Sequence, residues 1–184
     1  MQLPALPKAT VDPQLPRVRA ALEAAELGRF DAGQYADIAR HPLYGWVEFA
    51  NLRRDIDNLS AGQAQSFLSR YRGQAVAESF RESWLAATAR RQDWASFLAG
   101  WSPQVKSTAL RCGELSARLA QGRADAQWTV DAQAIWRSTG KSLPDQCDAP
   151  MAALSTQGGL TPELRWVRID LAAAEWQPGV MRAA

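Results

Sequence analysis

Apolar residues recur along most of the chain at spacings of three and four, the period of a helix with one buried face. Leu15, Val18, Leu22 and Ala25 make the first such stripe, and Gly28 ends it. Tyr35 and Ile38 carry a shorter one. Pro42 punctuates the chain, and Leu43, Trp46, Phe49 and Arg53 predict a helix reaching about Ile56. Ser60-Ala61-Gly62-Gln63 has the form of a capping box and opens a helix through about Tyr71. Val76, Phe80, Trp84 and Thr88 line the next, and Trp94, Phe97 and Leu98 restart the pattern after a turn at Arg91-Gln92-Asp93. Pro103 breaks it again. Leu110, Leu115 and Leu119 predict a helix ending at Gly122, and Trp128, Ala132, Ile135 and Trp136 one ending at Gly140. Pro144 suits a helix first turn. Thr161-Pro162 reads as an N-cap followed by proline, heading a helix with Leu164, Val167 and Leu171. No period-two alternation occurs. The pattern predicts nine or ten short helices and no sheet. Residues 1 to about 13, with Pro4, Pro7 and Pro13 and no periodic face, read as an extended arm before a helical region over 14–184.

The helices fall into pairs. Gly28-Arg29-Phe30-Asp31, Arg91-Gln92-Asp93-Trp94 and Gly122-Arg123-Ala124-Asp125 each follow an alanine-rich helix and precede another. Such junctions suggest degenerate helix–turn–helix repeats, each pair burying its neighbour's face. The 34 alanines allow close helix approach. Gln177-Pro178-Gly179-Val180-Met181 reads as a turn into one more helix just before Ala184, so the chain is expected to be a piece of a longer protein, truncated ahead of its next domain.

Composition narrows the chemistry. Of 184 residues 47% are hydrophobic and 22% charged, which suits a folded chain and not a disordered one. A net charge of +2 argues against a dedicated nucleic-acid binder, whose affinity rests on neutralising phosphates. One His and two Cys exclude a His/Cys metal cluster, so neither metal nor cofactor is expected. No apolar run approaches the ~18 residues of a membrane span. The start has no charged and apolar leader pattern, which fits a cytoplasmic protein or one whose leader is gone.

The catalytic candidates are weak. Gly140-Lys141-Ser142 imitates the end of a phosphate loop, but Ile135 stands where the loop needs its first glycine. His41, before Pro42, reads as a surface or cap histidine with no partner suggested by spacing. Asp55/Asp57 and Glu78/Glu82 pair carboxylates, with Arg81 beside the second pair, and read as solvated faces. Arg53/Arg54 and Arg90/Arg91 read as solvated helix ends rather than a site for an acidic polymer. Eight tryptophans are the marked excess. Trp84, Trp128 and Trp136 lie on apolar stripes and are expected to pack. Trp101 and Trp176, near turns, are the candidates for exposure and for stacking on sugar or a partner. Cys112 and Cys147 either form one internal bridge or stay as buried thiols, and residue counting does not choose.

Three stretches resemble a known family. Ala89-Arg90-Arg91-Gln92-Asp93-Trp94 is one. Cys112, then Trp136 with Thr139-Gly140-Lys141-Ser142, then Cys147-Asp148, is another. Pro42-Leu43-Tyr44 followed by Val47-Glu48-Phe49 is the third. In this order they resemble the N-terminal superhelical, U-shaped domain of soluble lytic murein transglycosylases of Gram-negative bacteria, from about residue 15 onward. The resemblance implies an all-α, right-handed superhelix of stacked short helical hairpins. It implies a Cys112–Cys147 disulfide and a periplasmic location.

For the whole family protein, the implied reaction is cleavage of the β-1,4 bond between N-acetylmuramic acid and N-acetylglucosamine with a 1,6-anhydro product. The catalytic Glu belongs to a lysozyme-like domain marked by Gly-Leu-Met-Gln, which this chain lacks. Glu78-Ser79-Phe80 echoes only its Glu-Ser pair, so no residue here is assigned a catalytic role. The expected partners are peptidoglycan glycan strands and the catalytic domain of the same polypeptide. The rival readings are a helical-repeat adaptor that binds a protein or peptide in its concave groove, and a small cytosolic regulator.

Overall fold

Helix starts and stops are set by short-range chemistry. Ser60, Asp93, Ser107, Asp125 and Thr161 each accept the backbone N–H three residues on, satisfying a donor that the first turn leaves free. At Ser60 the Gln63 side chain reaches back to complete the capping box. Five helices stop at a residue in the left-handed region: Gly28, Gln92, Gly122, Gly158 and Trp176, with φ of 71°, 56°, 69°, 74° and 53°. After each, the next N–H bonds the carbonyl five residues back, as from Arg29 to Ala24 and from Arg123 to Arg118. The three junctions singled out in the sequence are all of this kind. At Gln92 and Gly122 the next helix starts within a few residues, whereas after Gly28 a longer connection with a 3-10 turn at Ala36–Ile38 leads to the helix at Tyr44–Arg53.

The computed structural model describes residues 11–184 and is all helical over them, with no strand among the described residues. Ten α-helices follow in order: α1 (Leu15–Glu26), α2 (Tyr44–Arg53), α3 (Ala61–Arg70), α4 (Ala75–Arg90), α5 (Trp94–Gly100), α6 (Thr108–Ala120), α7 (Ala126–Trp136), α8 (Asp148–Thr156), α9 (Pro162–Ala174) and α10 (Pro178–Ala183). Short 3-10 turns at Ala36–Ile38, Ile56–Asn58 and Asp145–Cys147 fill three connections. Most of the proline-rich arm lies outside the described residues. Its last part is tied down, because Asp12 meets His41.

The main helix–helix contacts join only elements one or two apart in order: α1 with α2, α2 with α4, α3 with α4 and α5, α4 with α5 and α6, and so on to α9 with α10. Even-numbered helices α2, α4, α6 and α8 touch in succession along one layer. The core is divided in the same way. Val18, Ile38 and Val47 centre one apolar cluster, Phe67, Phe80 and Trp84 the next, Leu85, Phe97 and Val105 a third, and Leu115, Trp128 and Leu154 the last. This is a linear stack in which each helical hairpin covers the face of its neighbour.

Three local expectations are corrected. α7 stops at Trp136 rather than Gly140, because the Trp136 and Thr139 carbonyls turn outward to Arg168. Pro144 precedes the 3-10 turn Asp145–Cys147, and α8 begins only at Asp148. The buried side of α9 is Arg168 and Ala172, 4% and 0% exposed, while Val167 is 41% exposed. The guanidinium, not a third aliphatic side chain, fills that position because its partners are carbonyls.

Candidate functional site

The residues that drew attention in the sequence resolve into joints between helices. Glu48 on α2 accepts from Arg70 at 2.8 Å and from the Tyr71 hydroxyl at 2.5 Å, binding α2 to the end of α3. Burial, then the hydrogen bond to Glu48, pushes the Tyr71 phenol well above its usual value. In the next motif, Arg90 pairs with Asp57 at 2.7 Å, and Arg91 donates to the Asp57 carbonyl and lies over the Trp84 ring at 5.2 Å. Asp93 caps α5. Arg54 donates to the Glu26 carbonyl in the last turn of α1. These arginines close the ends of neighbouring helices, so the expectation of solvated ends holds only in part.

The third motif surrounds the disulfide. Cys112 on α6 and Cys147 before α8 are bonded, with Cα atoms 4.9 Å apart, and both are buried. The loop between α7 and the bridge is held from α9. Arg168 donates to the carbonyls of Trp136 at 2.8 Å, Thr139 at 3.0 Å and Lys141 at 3.0 Å, and its guanidinium sits 4.7 Å from the centre of the Trp136 ring. Burial pushes the Arg168 guanidinium below its usual value. The Gly140 N–H donates to Glu175 at 3.0 Å. The loop turns carbonyls toward a cation, and its Gly140 and Lys141 N–H groups are already taken by Glu175 and the Thr139 hydroxyl, so Gly140-Lys141-Ser142 offers no N–H cradle for a phosphate.

His41 is buried, 8% exposed. Its Nδ1 accepts the Leu43 N–H at 3.1 Å, so in the neutral ring Nε2 carries the proton and donates to Asp12 at 2.9 Å. It caps the entry to α2. Local spacing gives no sign of Asp12 as its partner, 29 residues earlier in the chain. Glu78 pairs with Arg81 at 3.2 Å, and Asp55 bonds Asn58. Sequence reasoning also missed the ion network around buried Arg118, which bonds Asp131 at 2.7 Å, Asp125 at 3.2 Å and Glu114 at 3.4 Å. Burial raises the Glu114 carboxyl above its ordinary value, while the Arg118 charge opposes that rise. This network lies between α6 and α7 and joins them, like the other motifs.

The tryptophans divide as the stripes predict for Trp84, Trp128 and Trp136, at 2%, 0% and 9% exposure. Trp176 is 90% exposed. Trp101 is half-buried and stacked on Phe97 at 5.8 Å, because the turn that carries it folds back on α5. Trp166, 64% exposed on α9, stood on no identified stripe.

One open groove of about 710 Å³ runs across the even layer, between α4, α6 and the start of α8. Ala86, Ala89, Ala109, Gly113 and Ala149 make it shallow and apolar, and the half-buried Trp94 stands in its wall. Glu82, Ser116, Asp145 and Gln146 add polar groups. No group of three or more potential metal ligands occurs among the described residues.

No protein-family model matches the chain, and a search of curated proteins finds no match. Solved structures do match. An inactive mutant of lytic transglycosylase Slt from Pseudomonas aeruginosa is 24% identical with a TM-score of 0.74, over 89% of this chain. The 70 kDa soluble lytic transglycosylase from Escherichia coli is 22% identical with a TM-score of 0.76, over 91%. A complex of the 70 kDa soluble lytic transglycosylase with bulgecin A gives 23% and 0.68, over 86%. The chain spans about a quarter of the length of these proteins: 27%, 27% and 26%. At these identities the likeness establishes the fold, an all-α superhelix of stacked helical hairpins.

Proposed function

We propose that residues 14–184 are the non-catalytic superhelical part of a periplasmic soluble lytic transglycosylase, the kind of enzyme that cleaves the MurNAc–GlcNAc β-1,4 bond of peptidoglycan and leaves a 1,6-anhydro end. The observation that carries this reading is a fold shared with two such enzymes over about nine-tenths of the chain, at 89% and 91%. The disulfide supports it, since such bonds persist in oxidising compartments. So does the placement of the three motifs, each of which secures a joint of the stack. The role is to hold glycan strands and to scaffold the catalytic domain of the same polypeptide. Trp176 is the free indole for a glycan or partner contact, and Trp101 offers only one face.

The test is incubation of the purified chain with sacculi. Co-sedimentation without release of 1,6-anhydro-muropeptides is expected. Release by this chain alone would overturn the non-catalytic assignment, and failure to co-sediment would overturn the glycan-holding role.

A further inference from the structure

Two long troughs cross the stack, and they differ in one respect. Along α2 and α3 most of the polar wall is already occupied, Glu48 by Arg70 and Tyr71, Gln63 by Ser60 and Ser66 by the Gly62 carbonyl, and Asn51 is the polar side chain left unengaged. In the groove across α4, α6 and α8, the side chains of Glu82, Ser116, Asp145 and Gln146 have no hydrogen bond or ion pair to any described residue. Four unengaged polar groups therefore surround an apolar floor of alanines, with an indole in the wall.

We propose that this groove binds a short run of N-acetylated amino sugars. The inference rests on the cell-wall reading above and names the surface that would do the holding. The chemistry fits the class. A pyranose presents an apolar C–H face that packs on an aromatic ring, and its acetamido methyl needs an apolar floor such as Ala86, Ala89 and Ala149 provide. Its hydroxyls need mixed donors and acceptors, which Ser116 and Gln146 supply beside the acceptors Glu82 and Asp145. The charge balance points the same way. Arg90 is itself paired with Asp57, so the groove keeps the two carboxylates of Glu82 and Asp145 as acceptors, which suit the hydroxyls of a neutral sugar and not an acidic polymer. Adjacent helix axes lie about 8–10 Å apart, so a groove crossing three of them extends roughly 16–20 Å, enough for an oligosaccharide rather than a single ring. The volume of about 710 Å³ lies within the usual size of a ligand cleft.

The probe is N,N′,N″,N‴-tetraacetylchitotetraose, titrated into the chain and followed by amide resonances and indole fluorescence. The amides of Ala86, Trp94, Gly113 and Ala149 are expected to shift. Ala149 is exposed on α8, so Ala149→Trp fills the groove without entering the core. It is expected to weaken binding tenfold or more, and Glu82→Gln with Asp145→Asn severalfold. Shifts confined to another surface, unchanged affinity in the filled variant, or occupation by a stem peptide but not by the tetrasaccharide would each overturn the proposal. The two readings separate cleanly. If A149W still co-sediments with sacculi as the parent chain does, the groove assignment fails and the proposed function stands. If the parent binds the tetrasaccharide in the groove but not sacculi, the groove assignment stands and the cell-wall role fails.

Discussion

Trp176 occupies the left-handed position that glycine holds at three of the other four helix stops of its kind, and it is 90% exposed. An L-residue there crowds its Cβ against the carbonyl oxygen, a cost of about 1–2 kcal/mol, and this indole gains almost no burial in return. Trp176→Gly recovers that strain and gives back part of it through the looser unfolded chain. The expected net gain is about 1 kcal/mol, a rise of roughly 2–4 °C in Tm by thermal melt. In the same variant, co-sedimentation with sacculi falls if the indole contacts glycan. Gly140 is the opposite case. A Cβ there would lie 2.3 Å from the backbone of Leu171, which cannot yield as a side chain tip does. Gly140→Ala should cost about 3 kcal/mol, whereas Gly179→Ala, with nothing within 4 Å, should be near neutral in the same chemical denaturation series.

Individual helices depend on their caps, and two of these caps titrate. Hydrogen bonds from Ser96 hold the Asp93 carboxyl below its ordinary 3.8, and the Trp128 backbone N–H, with Arg118 nearby, does so for Asp125. A depressed folded-state value means stability that is fully present above 3.8 and lost as pH falls through the folded values. Glu114 works in the other direction: raised by burial, its ionisation costs stability as pH rises past 4.5. Thermal melts from neutral pH down to the range below 3.8 should show Tm falling. The double variant Asp93→Asn, Asp125→Asn should lose less on acidification, since an amide oxygen caps without titrating; an equal loss would refute the assignment. The caps at Ser60 and Thr161 and the stops at Gly28 and Gly122 were legible because they are local, within five residues of the group they satisfy. Arg168, Asp12 and the arginine joints were not, because each partner is brought in by packing and leaves no periodic trace. The groove was illegible for the same reason: its walls come from α4, α6 and the approach to α8, and its alanines look like ordinary helix filler.

At the scale of the whole molecule, the main contacts among the described residues join near neighbours and make the stack quasi-one-dimensional, so opening one end need not open the other. The Cys112–Cys147 bridge closes a loop with a sequence separation of 35. On the chain-entropy account its removal costs about 3–4 kcal/mol. In a single cooperative globule that loss would appear at every amide that exchanges by global unfolding. Here the bridge fastens α6 to the turn before α8, and the first apolar cluster, around Val18, Ile38 and Val47, shares no member with the cluster that holds the cysteines. Hydrogen exchange with and without reductant should therefore be asymmetric. Amides of α6 to α9 should exchange faster after reduction, by tenfold or more, while those of α1 and α2 stay as they were. An equal acceleration from α1 to α9 would show that the hairpins unfold as one unit, and the neighbour-by-neighbour account of stability would have to be abandoned.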